Sequence, residues 1–129
     1  MNPAPDILIS GGRIVNPSIS LDGQRDILIR NGKIARLGRN IKAGSHCQKI
    51  DARGLWIFPG FVDAHVHLRE PGGEESETIR TGTLAAVRGG VTTVLAMANT
   101  RPATDTPRRV NWIINRAKQT AAAKVYPVG

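Results

Sequence analysis

The chain has 129 residues, 40% of them hydrophobic and 22% charged, the balance of a globular protein that can bury a core rather than of a disordered one. Its formal charge is +8, but Lys and Arg are scattered and are not interleaved with the aromatic residues Trp56, Phe58, Phe61, Trp112 and Tyr126, which argues against a nucleic-acid surface. No run approaches the roughly 18–20 apolar residues of a membrane span, and residues 1–10 lack the basic, apolar and small-residue order of a signal peptide, so no membrane partner is expected and the expected location is cytoplasmic.

In chain order, the first elements are short β-branched runs separated by turn residues. Residues 6–9, Gly11-Gly12 and residues 13–15 read as one hairpin, and residues 26–30, Asn31-Gly32 and residues 33–37 as a second. Asn31-Gly32 is the stronger signal, because a type I′ turn needs positive φ at both central positions and Asn and Gly tolerate it best. Cys47 has no disulfide partner and reads as structural or incidental. Residues 50–51 and 55–58 add strand material around Gly54. Residues 1–55 are therefore expected to form a small antiparallel β domain.

From Pro59 the pattern becomes strand, helix, strand, helix. Residues 61–68 read as a strand, 77–87 as a helix, 91–97 as a second strand and 107–123 as a second helix, with a third strand over 124–128. Gly89-Gly90 suits a helix C-terminus, and Thr106 and Pro107 suit the N-cap and first position of the next helix. That helix carries Val110, Ile113, Ile114, Ala117 and Ala121 at helical spacing, while Arg108, Arg109, Arg116 and Lys118 read as its solvated face. The α/β pattern of residues 56–129 is that of the first units of a parallel, helix-flanked architecture.

The chemistry gathers where the first of these strands ends. Alternation puts Asp63, His65 and His67 on one face and Val62, Ala64, Val66 and Leu68 on the other, with the imidazoles about 7 Å apart along the strand. Two imidazoles so placed can converge on one metal ion, although a His-x-His pair alone is more often two ordinary strand histidines. The pair stands at a strand end opening a βα unit and runs into a charged, glycine-containing loop, where α/β enzymes place catalytic groups. Arg69 offers a forked donor suited to a carboxylate, or else a surface cation paired with Glu70 or Glu74. Asn99 offers an amide donor at the end of the second strand, or else a turn former before Thr100 and Pro102.

The run from Pro59 to Gly72, containing Asp63-Ala64-His65-Val66-His67-Leu68-Arg69-Glu70-Pro71, resembles the dihydroorotase signature of the amidohydrolase superfamily. Glu77-Thr78-Ile79 to Gly82, Gly89-Gly90-Val91-Thr92-Thr93 and Asn99-Thr100-Arg101-Pro102 resemble its continuation. Two departures stand in the loops: Ala98 where relatives often carry Pro, and Glu75-Ser76 where they carry an aromatic residue and Lys. Both bear on loop geometry and leave the candidate ligands in place.

The resemblance implies that His65 and His67 are ligands of the first of two zinc ions, that His67, Arg69 and Asn99 meet the substrate and its carboxylate, and that Asp63 supports the site by hydrogen bonding. It implies the first βα units of a (β/α)₈ TIM barrel whose remaining ligands, and whose general base, come after Gly129, so the chain is expected to be a fragment or a truncated gene product, or to have the rest supplied by another chain, and to be inactive by itself. The implied reaction is the reversible, zinc-dependent hydrolysis of the cyclic amide of dihydroorotate, a small anionic substrate, to N-carbamoyl-L-aspartate in de novo pyrimidine (UMP) biosynthesis. Homo-oligomers and association with aspartate carbamoyltransferase occur among full-length proteins that it resembles. The competing expectations are another cyclic-amide hydrolase, of the allantoinase or dihydropyrimidinase kind, and a non-catalytic scaffold partner of aspartate carbamoyltransferase.

Overall fold

A computed structural model describes residues 5–129. The chain divides into two compact units, residues 1–59 and 60–129.

The first unit is a five-stranded sheet. Strand β1 (Ile7–Asn16) is followed by a 3₁₀ turn at Pro17–Ile19, then β2 (Leu21–Arg30), β3 (Lys33–Gly38), β4 (Gln48–Asp51) and β5 (Trp56–Ile57). The order is β3-β2-β1-β4, with β5 also on β1. The turn between β2 and β3 is the expected one, with φ of 50° at Asn31 and 71° at Gly32. Two expectations are corrected.

First, Gly11-Gly12 is not a hairpin turn, because β1 continues through it. Pairing with β2 passes from Ile9↔Ile27 to Gly12↔Arg25, so Ser10 and Gly11 stand against Asp26 alone. That is a β-bulge, which bends the strand and leaves an unpaired amide. The Asp26 carboxylate accepts that amide, Gly11 N–H, at 2.9 Å.

Second, the sheet is mixed rather than antiparallel, because β4 and β5 lie end to end along β1 and parallel to it. β1 and β3 are each antiparallel to β2, so β3 and β4 run the same way, and the link between them must travel back along the sheet. A parallel neighbour always demands such a crossover. Here the link carries Ile41 into a core with Leu8 and Leu28. Asp26 holds the link as well, since its second oxygen accepts the Ile41 N–H at 2.9 Å.

The second unit is a three-stranded parallel sheet with two helices. Strand β6 (Phe61–Val66) leads to α1 (Ile79–Arg88), β7 (Val91–Ala96), α2 (Pro107–Thr120) and β8 (Lys124–Pro127), in the sheet order β6-β7-β8. Thr78 caps α1, exchanging hydrogen bonds with Thr81, and Thr106 caps α2 with Pro107 in its first turn. Each cap satisfies amides that a helix leaves without internal partners. Beyond α1, the positive φ falls on Gly90, at 82°, as a helix exit favours.

Leu68, Ile79, Val94, Ala96 and Ile113 form the core of this unit, with Ala117 and Ala121 of the expected helix face packed against it. Gly82 lets α1 approach, because a Cβ there would lie 2.7 Å from the Leu68 side chain. The fully buried Thr83 hydroxyl donates to the Ile79 carbonyl at 2.6 Å and accepts the Ala122 N–H at 3.0 Å. It thereby ties α1 to the end of α2. No helix among the described residues is long and apolar enough to cross a membrane.

Candidate active site at the ends of β6 and β7

Parallel strands present their carboxyl ends and following loops on one edge, the usual place for ligand sites in α/β sheets. His67 follows the last residue of β6, and Asn99 comes three residues after β7. Pairing continues past both strand ends, since Met97 N–H donates to the Val66 carbonyl at 2.9 Å. This adjacency brings His67 Nδ1 within 2.8 Å of Asn99 Oδ1. A protonated Nδ1 donates here, which leaves the lone pair of Nε2 free, the state that a metal-ligating imidazole needs. The Asn99 amide nitrogen then stays available as a donor.

His65 joins the pair, but not by simple alternation. The β6–β7 register moves from Asp63↔Val94 to Val66↔Ala96, so Ala64 and His65 stand against Leu95 alone. The bulge frees the His65 amide, and Asp63 Oδ1 accepts it at 3.1 Å. Bulges beside sites re-aim side chains. The two imidazoles come to rest edge to face, with ring centroids 5.1 Å apart. Both are exposed.

Arg69 is also exposed and has a φ of 53°. The Glu70 N–H donates back to the Leu68 carbonyl at 2.5 Å, which makes Leu68-Arg69-Glu70 a three-residue turn with Arg69 at its apex. Neither acid proposed as its surface partner is paired with it. Glu74 turns onto the Gly72 N–H at 2.9 Å, and that backbone bond is the main cause holding its carboxyl below the usual range. Glu70 is only 3% exposed. It accepts the Ile79 N–H at 2.7 Å and the Arg116 guanidinium at 2.6 Å. Arg116 is thus not simply part of a solvated helix face. Arg109 also has an acidic partner, Asp105.

The loops after β6 and β7 are joined. Arg101 N–H donates to the Pro71 carbonyl at 2.9 Å. Gly72, at a φ of 89°, lies so close against the Arg101 backbone that no Cβ would fit. A cleft of about 970 Å³ opens beside the start of α2, between Pro71, Pro102 and Trp112. None of the candidate residues lines it, and the polar convergence that chemistry requires is at the strand ends instead. Among the described residues, no group of three or more His, Cys, Asp and Glu side chains is placed to hold a metal. His65 and His67 are two donors of a kind suited to zinc, one fewer than the three protein ligands usual in a catalytic site.

Sequence reasoning singled out His65, His67, Arg69 and Asn99 but missed Glu70 as a buried anchor. Its signal would have been an acid immediately before Pro71 and nine residues ahead of a helix start, which by itself is indistinguishable from a loop charge.

A family model described as Dihydro-orotase-like matches residues 54–129. A dihydroorotase from Anaeromyxobacter sp. (strain K) is 46% identical over 123 residues, 95% of this chain and 28% of that protein. One from Geotalea daltonii is 45% identical over 124 residues, 96% of this chain and 29% of that protein. The L-hydantoinase (dihydropyrimidinase) from Arthrobacter aurescens superposes with a TM-score of 0.84 at 26% identity, over 98% of this chain and 28% of its own. The chain thus spans somewhat more than a quarter of the length of these relatives. With a family model over more than half its residues, and its His-x-His pair, Arg69 and Asn99 on one edge of a parallel sheet, the chain belongs to the dihydroorotase-like family of amidohydrolases.

Proposed function

We propose that this chain forms part of a dihydroorotase, contributing two zinc ligands and part of the grip on the substrate carboxylate to a (β/α)₈ barrel. The observation that carries this reading is the meeting of His67, His65 and Asn99 where β6 and β7 end, with the exposed Arg69 two residues further on. The donor set fits part of a zinc site: two adjacent imidazoles, one with its Nδ1 already engaged. His65 and His67 would hold a zinc ion, which when bound would supply Lewis-acid polarisation and a water made acidic enough to react at neutral pH.

The chain's own residues bind and orient. Asn99 keeps the His67 ring in one tautomer and offers its remaining amide protons to an anionic oxygen. Arg69 presents two parallel N–H donors to the carboxylate of dihydroorotate, the geometry of a bidentate charge-assisted bond. Asp63 fixes the bulge that carries His65. The ring amide of the substrate is thereby set against the histidine pair, for reversible opening to N-carbamoyl-L-aspartate in the cytoplasmic synthesis of pyrimidines.

The likeness in fold to a hydantoinase keeps a second reading open, a cyclic-amide hydrolase acting on neutral rings. Arg69→Met in the full-length protein separates the two. A charge-assisted contact is worth about 1.5–3 kcal/mol, so kcat/KM for dihydroorotate is expected to fall roughly ten- to more than a hundredfold. The fall for neutral dihydrouracil is expected to be much smaller, with zinc content by metal analysis retained. Equal losses on both substrates would overturn the dihydroorotase reading in favour of the neutral-ring one.

A further inference from the structure

Glu70 is a buried acid that the chemistry above does not use. It accepts the first amide of α1, at Ile79, on one oxygen and the Arg116 guanidinium of α2 on the other. A carboxylate at a helix start suits the helix dipole, and a guanidinium beside it offsets the cost of burying its charge. Its position in the chain gives that anchoring a consequence. Glu70 directly follows Arg69, whose φ of 53° is a region that side-chain-bearing residues other than Asn and Asp rarely occupy. Such a conformation persists only where the surroundings over-determine it. Here they do so from both sides: Leu68 is buried in the core, and Glu70 is held by two helices. Pro71 and Gly72, the next residues, are locked to the loop after β7 through Arg101.

We propose that Glu70 is a positioning residue for substrate selection, its buried carboxylate holding the Arg69 turn so that the guanidinium stands ready for the carboxylate of an acidic cyclic amide. This rests on the dihydroorotase reading. Without the anchor, the backbone of Arg69 relaxes toward negative φ and the guanidinium is displaced. Misplacement by about 1 Å costs on the order of a hundredfold in a well-oriented site.

The test uses the full-length enzyme carrying Glu70→Gln, which keeps an acceptor for Ile79 but loses the charge facing Arg116, and separately Arg116→Met, a change on α2 that removes the guanidinium bonded to Glu70. Steady-state kinetics on dihydroorotate and dihydrouracil are combined with metal analysis and with amide exchange at Glu70 and Ile79. The expected result is faster exchange at Glu70, and a KM for dihydroorotate raised roughly tenfold or more with a smaller change in kcat. The kcat/KM for dihydrouracil should fall several-fold less. Unchanged exchange at Glu70 in both variants would overturn the proposal, because the anchor would not be holding the turn. Losses of equal size on the two substrates would also overturn it, leaving Glu70 a merely structural residue. Arg69→Met is the control that separates this failure from failure of the underlying reading. If that variant discriminates between the substrates and the Glu70 and Arg116 variants do not, only the positioning role falls. If Arg69→Met does not discriminate either, the dihydroorotase reading falls and the positioning role goes with it.

Discussion

Each of the two units has a carboxylate that joins two separate segments, and the two do it differently. In the β unit, half-buried Asp26 gives one oxygen to the Gly11 amide of a bulge and the other to the Ile41 amide of a crossover link. In the βα unit, Glu70 gives one oxygen to the amide that starts α1 and the other to a guanidinium from α2. Asp26 meets only backbone dipoles, which suits an acid that keeps some contact with water. Glu70 is almost fully buried, and a buried charge needs a cation. The ion pairs of the β unit, such as Arg13–Asp22 and Arg53–Asp51, are exposed on both sides. Pairs of that kind add little to stability. Position, not residue type, decides which acids organise the fold.

The core onto which Glu70 holds its helix is the point most sensitive to substitution. Ile79 is fully buried, and its amide is the one that Glu70 accepts. Ile79→Ala is expected to lose about 2–5 kcal/mol, the usual cost of a large-to-small change at a packed site. Urea denaturation of a Trp56→Phe background, in which Trp112 alone reports on the βα unit, measures it. A loss well under 1 kcal/mol would mean that α1 packs less tightly than its burial implies.

Asp26 comes next in size. Asp26→Ala leaves two part-buried amides, at Gly11 and Ile41, without their acceptor, an expected cost of about 1–3 kcal/mol. Hydrogen exchange at those two amides should accelerate together, whereas Asp26→Asn, which retains one carbonyl oxygen, should expose chiefly one of them. Independent behaviour of the two in Asp26→Ala would show that bulge and crossover do not depend on a common anchor.

The smallest effect belongs to the exposed pairs. The Arg53 side chain, and after it the Arg53 backbone amide, lower the carboxyl of Asp51 from 3.8 to about 2. A lowered folded-state value means stability that is present above pH 3.8 and is lost as pH falls through about 2. Thermal midpoints of the parent and Asp51→Asn should therefore differ slightly at neutral pH and converge near pH 2. Carboxyl ¹³C titration should place Asp51 near 2 and move it upward in Arg53→Met. A midpoint gap that persists below pH 2 would show that the substitution acts through something other than the charge.

Much of the local structure was legible in the chain because it depends on neighbouring residues. Asn31-Gly32 specified its hairpin, Thr106-Pro107 the start of α2 and Gly89-Gly90 the exit from α1, each through backbone preferences that act within a few residues. The His-x-His spacing was local as well, and so was the placing of Arg69 beyond it, but the bulge at Ala64-His65 broke the alternation expected of Asp63, His65 and His67. The Gly11-Gly12 pair misled for the same reason. Glycine permits a turn or a bulge equally, and only the Asp26 side chain, fifteen positions away, settled on a bulge.

Propensity and periodicity, which are properties of short segments, thus marked most of the elements, the start of α2, the exit from α1 and the residues capable of chemistry, but neither the full length of β1 and β2 nor the Thr78 cap of α1. Tertiary structure alone decided the direction of β4 and β5, which depends on where a link without periodicity delivers its one buried residue, Ile41. It alone brought Asn99 to His67 across 32 positions, through the parallel pairing of β6 with β7. It also decided that Glu70 would be an anchor rather than a surface charge, because its guanidinium partner lies 46 positions away on α2. Long-range contacts of this kind follow from how the elements pack, and no pattern within a single segment encodes them.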